Sequence, residues 1–248
     1  MNDLRVATGI EGLDEMLDGG FLDGSAVLVR GAPGTGKTSF SLQFLIHGAS
    51  QLDETGLLIT FEEFPQSLYR DAQSLGWNLV KLEKEGKLHL LFTSPEVLLA
   101  SLQDPNSPLN RMIVEKDIRR VVVDSVTHFR RLSDDTHELR KIYNALINAF
   151  KREGVTTILI GEESRAQYTQ QEPGRLAFVV DVIILLRYIE IDSAIQRAIL
   201  VLKMRGSNHV KEIRRYEIRK GGLVVTGVFE GREGILSGSP RRVAGGLG

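Results

Sequence analysis

The chain has 248 residues, 42% hydrophobic and 25% charged, with 31 Lys and Arg against 32 Asp and Glu and no cysteine. That length suffices for one large domain with a real core. A net charge of −1 speaks against a protein whose main work is bulk nucleic-acid binding, and the lack of cysteine excludes disulfides and cysteine-ligated zinc.

The N-terminus, Met1-Asn2-Asp3-Leu4-Arg5, shows no signal-peptide core. The first strong element is Ala26-Val27-Leu28-Val29-Arg30, an apolar run expected to form a buried strand. Directly after it comes Gly31-Ala32-Pro33-Gly34-Thr35-Gly36-Lys37-Thr38, which matches the phosphate-loop pattern G-x-x-x-x-G-K-[ST] in full. Gly34 and Gly36 can take backbone angles that residues with a Cβ resist, so successive N–H groups can curl around a phosphate. A helix should follow, with Ser39 in its first turn and Phe40, Phe44 and Leu45 at helical spacing. Its free N-terminal amides and dipole favour an anion. Lys37 is expected to reach the β- and γ-phosphates of a nucleotide and Thr38 to hold Mg²⁺.

Further strands are expected over Leu57–Phe61, His89–Phe92, Val121–Val123 and Thr157–Ile160. They are continuous apolar runs, as in strands covered on both faces. A helix follows Pro65, with Leu68, Ala72 and Leu75 on one face and Gly76 as its stop. Glu62 and Glu63 directly follow a strand, at the carboxyl edge where ligands of open α/β sheets bind. One of them is expected to align the attacking water; Glu62 is preferred, and the alternative is Glu63. Asp124 ends its strand at the same edge and is the second expected Mg²⁺ contact. The clearest amphipathic helix carries Leu139, Ile142, Tyr143, Leu146, Ile147 and Phe150.

The stretch Phe178 to Ile189 is the most apolar, but Asp181 and Arg187 interrupt it. It is too short and charged to span a bilayer, so a strand without membrane contact is expected, in a cytoplasmic protein. Strands over Val182–Ile189, Arg197–Met204, Ile213–Ile218 and Leu223–Thr226 leave little room for helices, so antiparallel hairpins should close the sheet. From Gly227 the chain is glycine-rich and reads as a flexible tail, giving a domain of residues 1–226 and a tail of 227–248. The fold class is thus α/β, a mostly parallel sheet flanked by helices with C-terminal antiparallel strands.

Several motifs together resemble the KaiC-type ATPases of the RecA superfamily. They are Thr8-Gly9-Ile10-Glu11-Gly12-Leu13-Asp14-Glu15-Met16-Leu17 with Gly19-Gly20, Phe61-Glu62-Glu63-Phe64-Pro65, Leu75-Gly76-Trp77, Val122-Val123-Asp124-Ser125-Val126-Thr127, and Leu202-Lys203-Met204-Arg205-Gly206-Ser207-Asn208-His209. The resemblance runs from about Thr8 to Thr226 and is to one KaiC domain. It implies a RecA core that assembles into rings, commonly hexamers, with ATP at each subunit interface. It implies that Lys203 and Arg205, with His209, reach the neighbour's nucleotide; residues i and i+2 on a strand do share a face. Such a pair can stabilise charge developing on the γ-phosphoryl group.

The family's adjacent phosphorylated Ser-Thr pair has no counterpart between Glu163 and Gly174, and Leu176-Ala177 stands where an acidic pair is common. The expected function is therefore slow Mg-dependent ATP hydrolysis at subunit interfaces in a regulatory or signalling ATPase, without a clock role. The alternatives are a nucleotide-gated scaffold for a signalling protein partner, an autokinase, and a recombinase- or helicase-like DNA motor. For the last, Arg119-Arg120, Arg130-Arg131 and Arg214-Arg215 are the candidate phosphate contacts.

Overall fold

The apolar runs become the centre of a single large sheet. A computed structural model describes residues 4–163, 175–229, 232–233 and 241–242. A short strand β1 (Arg5–Val6), helix α1 (Leu13–Met16) and strand β2 (Phe21–Leu22) precede β3 (Ala26–Gly31) and helix α2 (Lys37–Gln51). Next come β4 (Thr55–Thr60), α3 (Pro65–Ser74), α4 (Leu79–Lys84), β5 (Leu88–Phe92), α5 (Pro95–Gln103) and α6 (Pro108–Glu115). Strand β6 (Ile118–Asp124), a 3₁₀ segment (Val126–Leu132), α7 (Thr136–Arg152) and β7 (Thr156–Glu162) follow. After a second 3₁₀ turn (Arg175–Phe178) come β8 (Val182–Ile191), β9 (Ala194–Met204), β10 (Arg214–Arg219) and β11 (Gly222–Val228). Two short strands, β12 (Arg232–Glu233) and β13 (Arg241–Arg242), pair with each other.

The main sheet has the order β11-β10-β9-β8-β3-β7-β6-β4-β5. It is parallel from β8 to β5 and antiparallel from β8 to β11. This is the expected α/β class, closed by antiparallel strands. Alternation along each strand divides the core between two faces. Val27 and Val29 of β3 join Phe40, Phe44 and Leu45 of α2 on one face. Ala26 and Leu28 join Leu146, Ile147 and Phe150 of α7 on the other. Phe40 and Phe44 are fully buried, and burying each stabilises the fold by about 1.5–3 kcal/mol.

The sequence reading passes over α4, α5 and α6. Their starts are nonetheless well capped: Asn78 Oδ1 accepts from Lys81 N at 2.9 Å, Ser94 Oγ from Val97 N at 3.4 Å and Ser107 Oγ from Asn110 N at 3.1 Å. The glycine-rich segment read from Gly227 begins inside β11, and Phe229 packs on Ile189, Ile191 and Ala198. The rest of that segment, apart from β12 and β13, lies outside the described residues, as do 164–174 of the stretch in which the Ser-Thr pair has no counterpart.

Candidate nucleotide site

Local chemistry explains where each expected residue comes to rest. Parallel pairing of β3 with both β7 and β8 places the end of β3 at the middle of the carboxyl edge, so the loop 31–38 opens there. Gly34 and Gly36 have φ of 80° and 92°, the left-handed region where a Cβ is costly. With Gly36 as its N-cap, α2 begins at Lys37. Its Thr38 Oγ1–H donates to Asp124 Oδ2 at 3.1 Å, which joins the loop to the end of β6, two strands away. Lys37 is buried, and its Nζ donates to Ala32 O at 3.1 Å. Ala32 O also accepts from Thr35 Oγ1 at 2.8 Å, so this carbonyl anchors the first half of the loop. Ser39 is half-buried in the first turn of α2, and Pro33 is exposed at the rim of the loop.

The site is strongly acidic around Thr38. Burial first, and then the nearby Glu63, push the Asp124 carboxyl up to about 6. Burial, Asp71 and Glu62 likewise raise Glu63. Burial lowers Lys37, opposed by Glu162, Asp124 and Glu163. A dication offsets such crowding of carboxylates, and oxygen donors suit Mg²⁺. Among the described residues no group of three or more His, Cys, Asp and Glu is arranged as a metal cage. A hydroxyl plus a carboxylate beside a phosphate cradle is how Mg²⁺ is held when phosphates complete its shell. The residues present therefore fit a Mg-nucleotide.

The two glutamates separate. Both are exposed, but Glu62 Oε1 lies 3.4 Å from His128 Nδ1 and 3.9 Å from Arg131. Glu63 is the one whose charge is felt at Asp124. Its N–H donates to Thr60 Oγ1 at 3.2 Å, which fixes the turn after β4. Strand β7, on the other side of β6, ends in Glu162, whose N–H donates to Thr127 Oγ1 at 2.9 Å. Glu163 is buried between Arg30 at 3.3 Å and Arg187 at 3.7 Å.

Lys203 and Arg205 do lie together, but on carbonyls of their own chain. Lys203 Nζ donates to Ala177 O at 2.8 Å and Val180 O at 2.7 Å, and Arg205 donates to Phe178 O at 2.8 Å. Burial and the adjacent Arg205 lower the Lys203 pKa. Among the described residues no hydrogen bond joins either side chain to the phosphate loop of the same chain. His209 is half-buried in the loop after β9, which is tied down by Val210 N–H donating to Met16 O at 2.9 Å.

The arginine pairs considered for nucleic acid are mostly committed elsewhere. Arg120 is fully buried and ion-paired to Glu54 at 2.5 Å, a correction to its reading as a phosphate contact. Arg119 pairs with Asp117 at 3.0 Å and Arg214 with Glu212 at 3.4 Å, while Arg215 donates to Gln196 at 2.9 Å. Sequence reasoning also missed Tyr188 and Tyr216. Their hydroxyls donate to the loop carbonyls of Gly34 and, at 2.5 Å, Thr35. Only an alternating strand pattern over Tyr216 and Ile218 hinted that this strand faces the loop.

Comparison with known proteins points to one family. The ATPase family model of KaiC matches residues 6–228. The circadian clock oscillator protein KaiC of Synechococcus elongatus is 35% identical over 225 residues, covering 88% of this chain and 43% of that protein. The protein of the same name from Prochlorococcus marinus subsp. pastoris is 36% identical over 227 residues, covering 89% and 45%. That from Picosynechococcus is 34% identical over 241 residues, covering 97% and 46%. The chain thus spans less than half the length of these relatives. No helix among the described residues is long and apolar enough to cross a membrane.

Proposed function

The chain belongs to the KaiC family of ATPases, and from that premise we propose that it binds Mg-ATP at the loop 31–38 and hydrolyses it slowly in an assembly of its own copies. The observation that carries this is the Thr38–Asp124 hydrogen bond of 3.1 Å beside the buried Lys37. It supports a divalent ion and the terminal phosphates being held at one place, the end of β3 and β6.

The residues divide the work. Backbone amides of the loop, the α2 N-terminus and Lys37 take the phosphates, with Gly31, Ala32, Pro33, Gly34, Thr35, Gly36 and Ser39 shaping the cradle. Thr38 and Asp124 hold Mg²⁺. When bound, that ion supplies charge that neutralises the phosphates and the developing negative charge. We assign the alignment of water to Glu63 rather than Glu62. Glu63 follows β4 in a turn held by Thr60, the register partner of Asp124, and its charge is felt at that carboxyl. Glu62, held toward His128 and Arg131, serves as a neighbour that keeps Glu63 basic. Lys203 and Arg205 complete the site of an adjacent copy, with His209 beside them. They exchange their hydrogen bonds to Ala177, Phe178 and Val180 for contacts to the neighbour's nucleotide. The assembly is then a ring, read as a hexamer, with a regulatory or signalling role and a protein partner.

The test is the Mg-ATP hydrolysis rate per subunit across a wide range of protein concentration, with sizing of the diluted sample. A rate that rises and saturates as copies assemble is expected. A constant rate from a species sized as a monomer would refute action in trans. No hydrolysis at any concentration would leave a nucleotide-gated scaffold as the better reading.

A further inference from the structure

We propose that Tyr188 and Tyr216 are positioning residues of the phosphate loop: their hydroxyls hold two loop carbonyls outward so that the loop amides face the phosphates. The inference rests on the ATP-site reading above and extends it to the strands on the far side of β3.

The second half of the loop has no strand of its own to hold it. Gly34 and Gly36 flank Thr35 with φ of 80° and 92°, and glycines in that region are free to reorient. A peptide unit that turned over would present its carbonyl oxygen to the phosphates in place of its N–H, turning an attractive dipole into a repulsive one. Two side chains oppose this turn. Tyr188, on β8, donates to Gly34 O. Tyr216, on β10, donates to Thr35 O at 2.5 Å.

In a trans peptide the C=O of one residue and the N–H of the next point to opposite sides. Drawing Thr35 O toward β10 therefore turns Gly36 N–H away from β10, into the concave side of the loop at the start of α2. That amide is one of those a helix N-terminus offers to an anion.

Burial makes the Tyr216 contact specific. Tyr216 is 1% exposed, and a hydroxyl so deep is normally hydrogen-bonded. Thr35 O is a partner that this loop conformation supplies. Apolar contacts back the arrangement: a Cβ placed on Gly36 would lie 2.4 Å from Ile218 Cδ1 and 3.5 Å from Leu223 Cδ1. One placed on Gly34 would lie 2.9 Å from the Tyr188 hydroxyl. The loop thus rests against β8, β10 and β11, and the antiparallel wing of the sheet sets the direction of its amides.

The test uses the full chain with Tyr216→Phe and Tyr188→Phe, each removing one hydroxyl and keeping the ring. Binding of inorganic triphosphate with Mg²⁺ is followed by titration calorimetry. Each variant is expected to raise Kd about five- to tenfold, the loss of one well-placed hydrogen bond, with stoichiometry unchanged. A merely structural role would lower the stoichiometry and leave Kd alone, and that result overturns the proposal. Tyr188 is only partly buried, so its variant keeps the test open where Tyr216→Phe folds poorly. If the wild-type chain binds triphosphate and neither variant changes Kd, the tyrosine assignment fails while the ATP site stands. If the wild-type chain takes up no triphosphate, both readings fail.

Discussion

Arg120 ties the helix that follows the phosphate loop to the strand that ends in Asp124, and its partner Glu54 is the place to test that tie. The guanidinium is fully buried. Its Nε donates to Glu54 Oε2 at 2.5 Å, and Nη1 donates to Ala7 O at 2.8 Å and Phe44 O at 3.0 Å. Its Cζ lies 4.4 Å from the Phe44 ring centroid. Removing one partner of a buried pair costs about 3–5 kcal/mol, because the remaining charge is stranded. Glu54 is 29% exposed, so solvent already screens part of its charge, and Glu54→Gln is expected to cost about 2–3 kcal/mol. Arg120→Met removes the stranded charge but leaves the Ala7 and Phe44 carbonyls without this donor, at about 1–3 kcal/mol each. The double variant should then be no less stable than Arg120→Met, since Glu54 has lost the group it served. Urea unfolding of the four proteins measures this cycle, and a coupling of about 2 kcal/mol is expected. If Glu54→Gln costs less than about 0.5 kcal/mol, or the two changes add within about 0.5 kcal/mol, the pin is not a pair and the argument fails.

Gly48 lies under the same arginine: a Cβ there would sit 2.4 Å from Arg120 Nε. Gly48→Ala should therefore destabilise by about 1–3 kcal/mol from overpacking, lowering Tm by roughly 2–4 °C per kcal/mol, whereas helix propensity alone predicts a gain of about 1 kcal/mol. Acid should weaken the fold through two histidines: burial first, then Arg120 for His47 and Lys116 for His89, hold both below 6.5. The unfolded chain then binds more protons than the native one, so stability is full above about pH 6.5 and falls as pH drops toward the lowered values; His47→Gln should flatten that slope in urea melts between pH 7 and 5. Lys37→Ala and Arg205→Ala should each reduce hydrolysis by about a hundredfold or more. Mixing the two variants should restore part of the rate if Arg205 acts on a neighbour's site, and no recovery in mixed assemblies would refute that role.

What the sequence discloses depends on whether a function is written in consecutive residues. The phosphate loop is contiguous, so its eight positions, the strand before it and the helix after it are all readable, and Asp124 follows from a β-branched run with a carboxylate at its end. Helices α5 and α6 were also readable, since Ser94-Pro95 and Ser107-Pro108 are N-cap and first-turn signals; weak apolar periodicity in short helices hid them. Arg120 is hard to read for a different reason. It stands next to Arg119 in sequence, but successive strand residues face opposite ways, so one arginine meets solvent and the other the core. No local pattern states that Glu54, 66 residues earlier, waits there. The same holds for the glutamates. Side-chain alternation predicts that Glu62 and Glu63 diverge, but not that Glu62 turns toward His128 and Arg131, because both lie past the end of β4 in a turn set by Thr60. Tyr216 is the extreme case. It lies 181 residues from the carbonyl it holds, and the strand order that brings them together is a property of the whole sheet. Residues proposed to contact phosphate are legible because phosphate chemistry constrains them locally, whereas those proposed to orient them are supplied by whichever strands the topology places alongside.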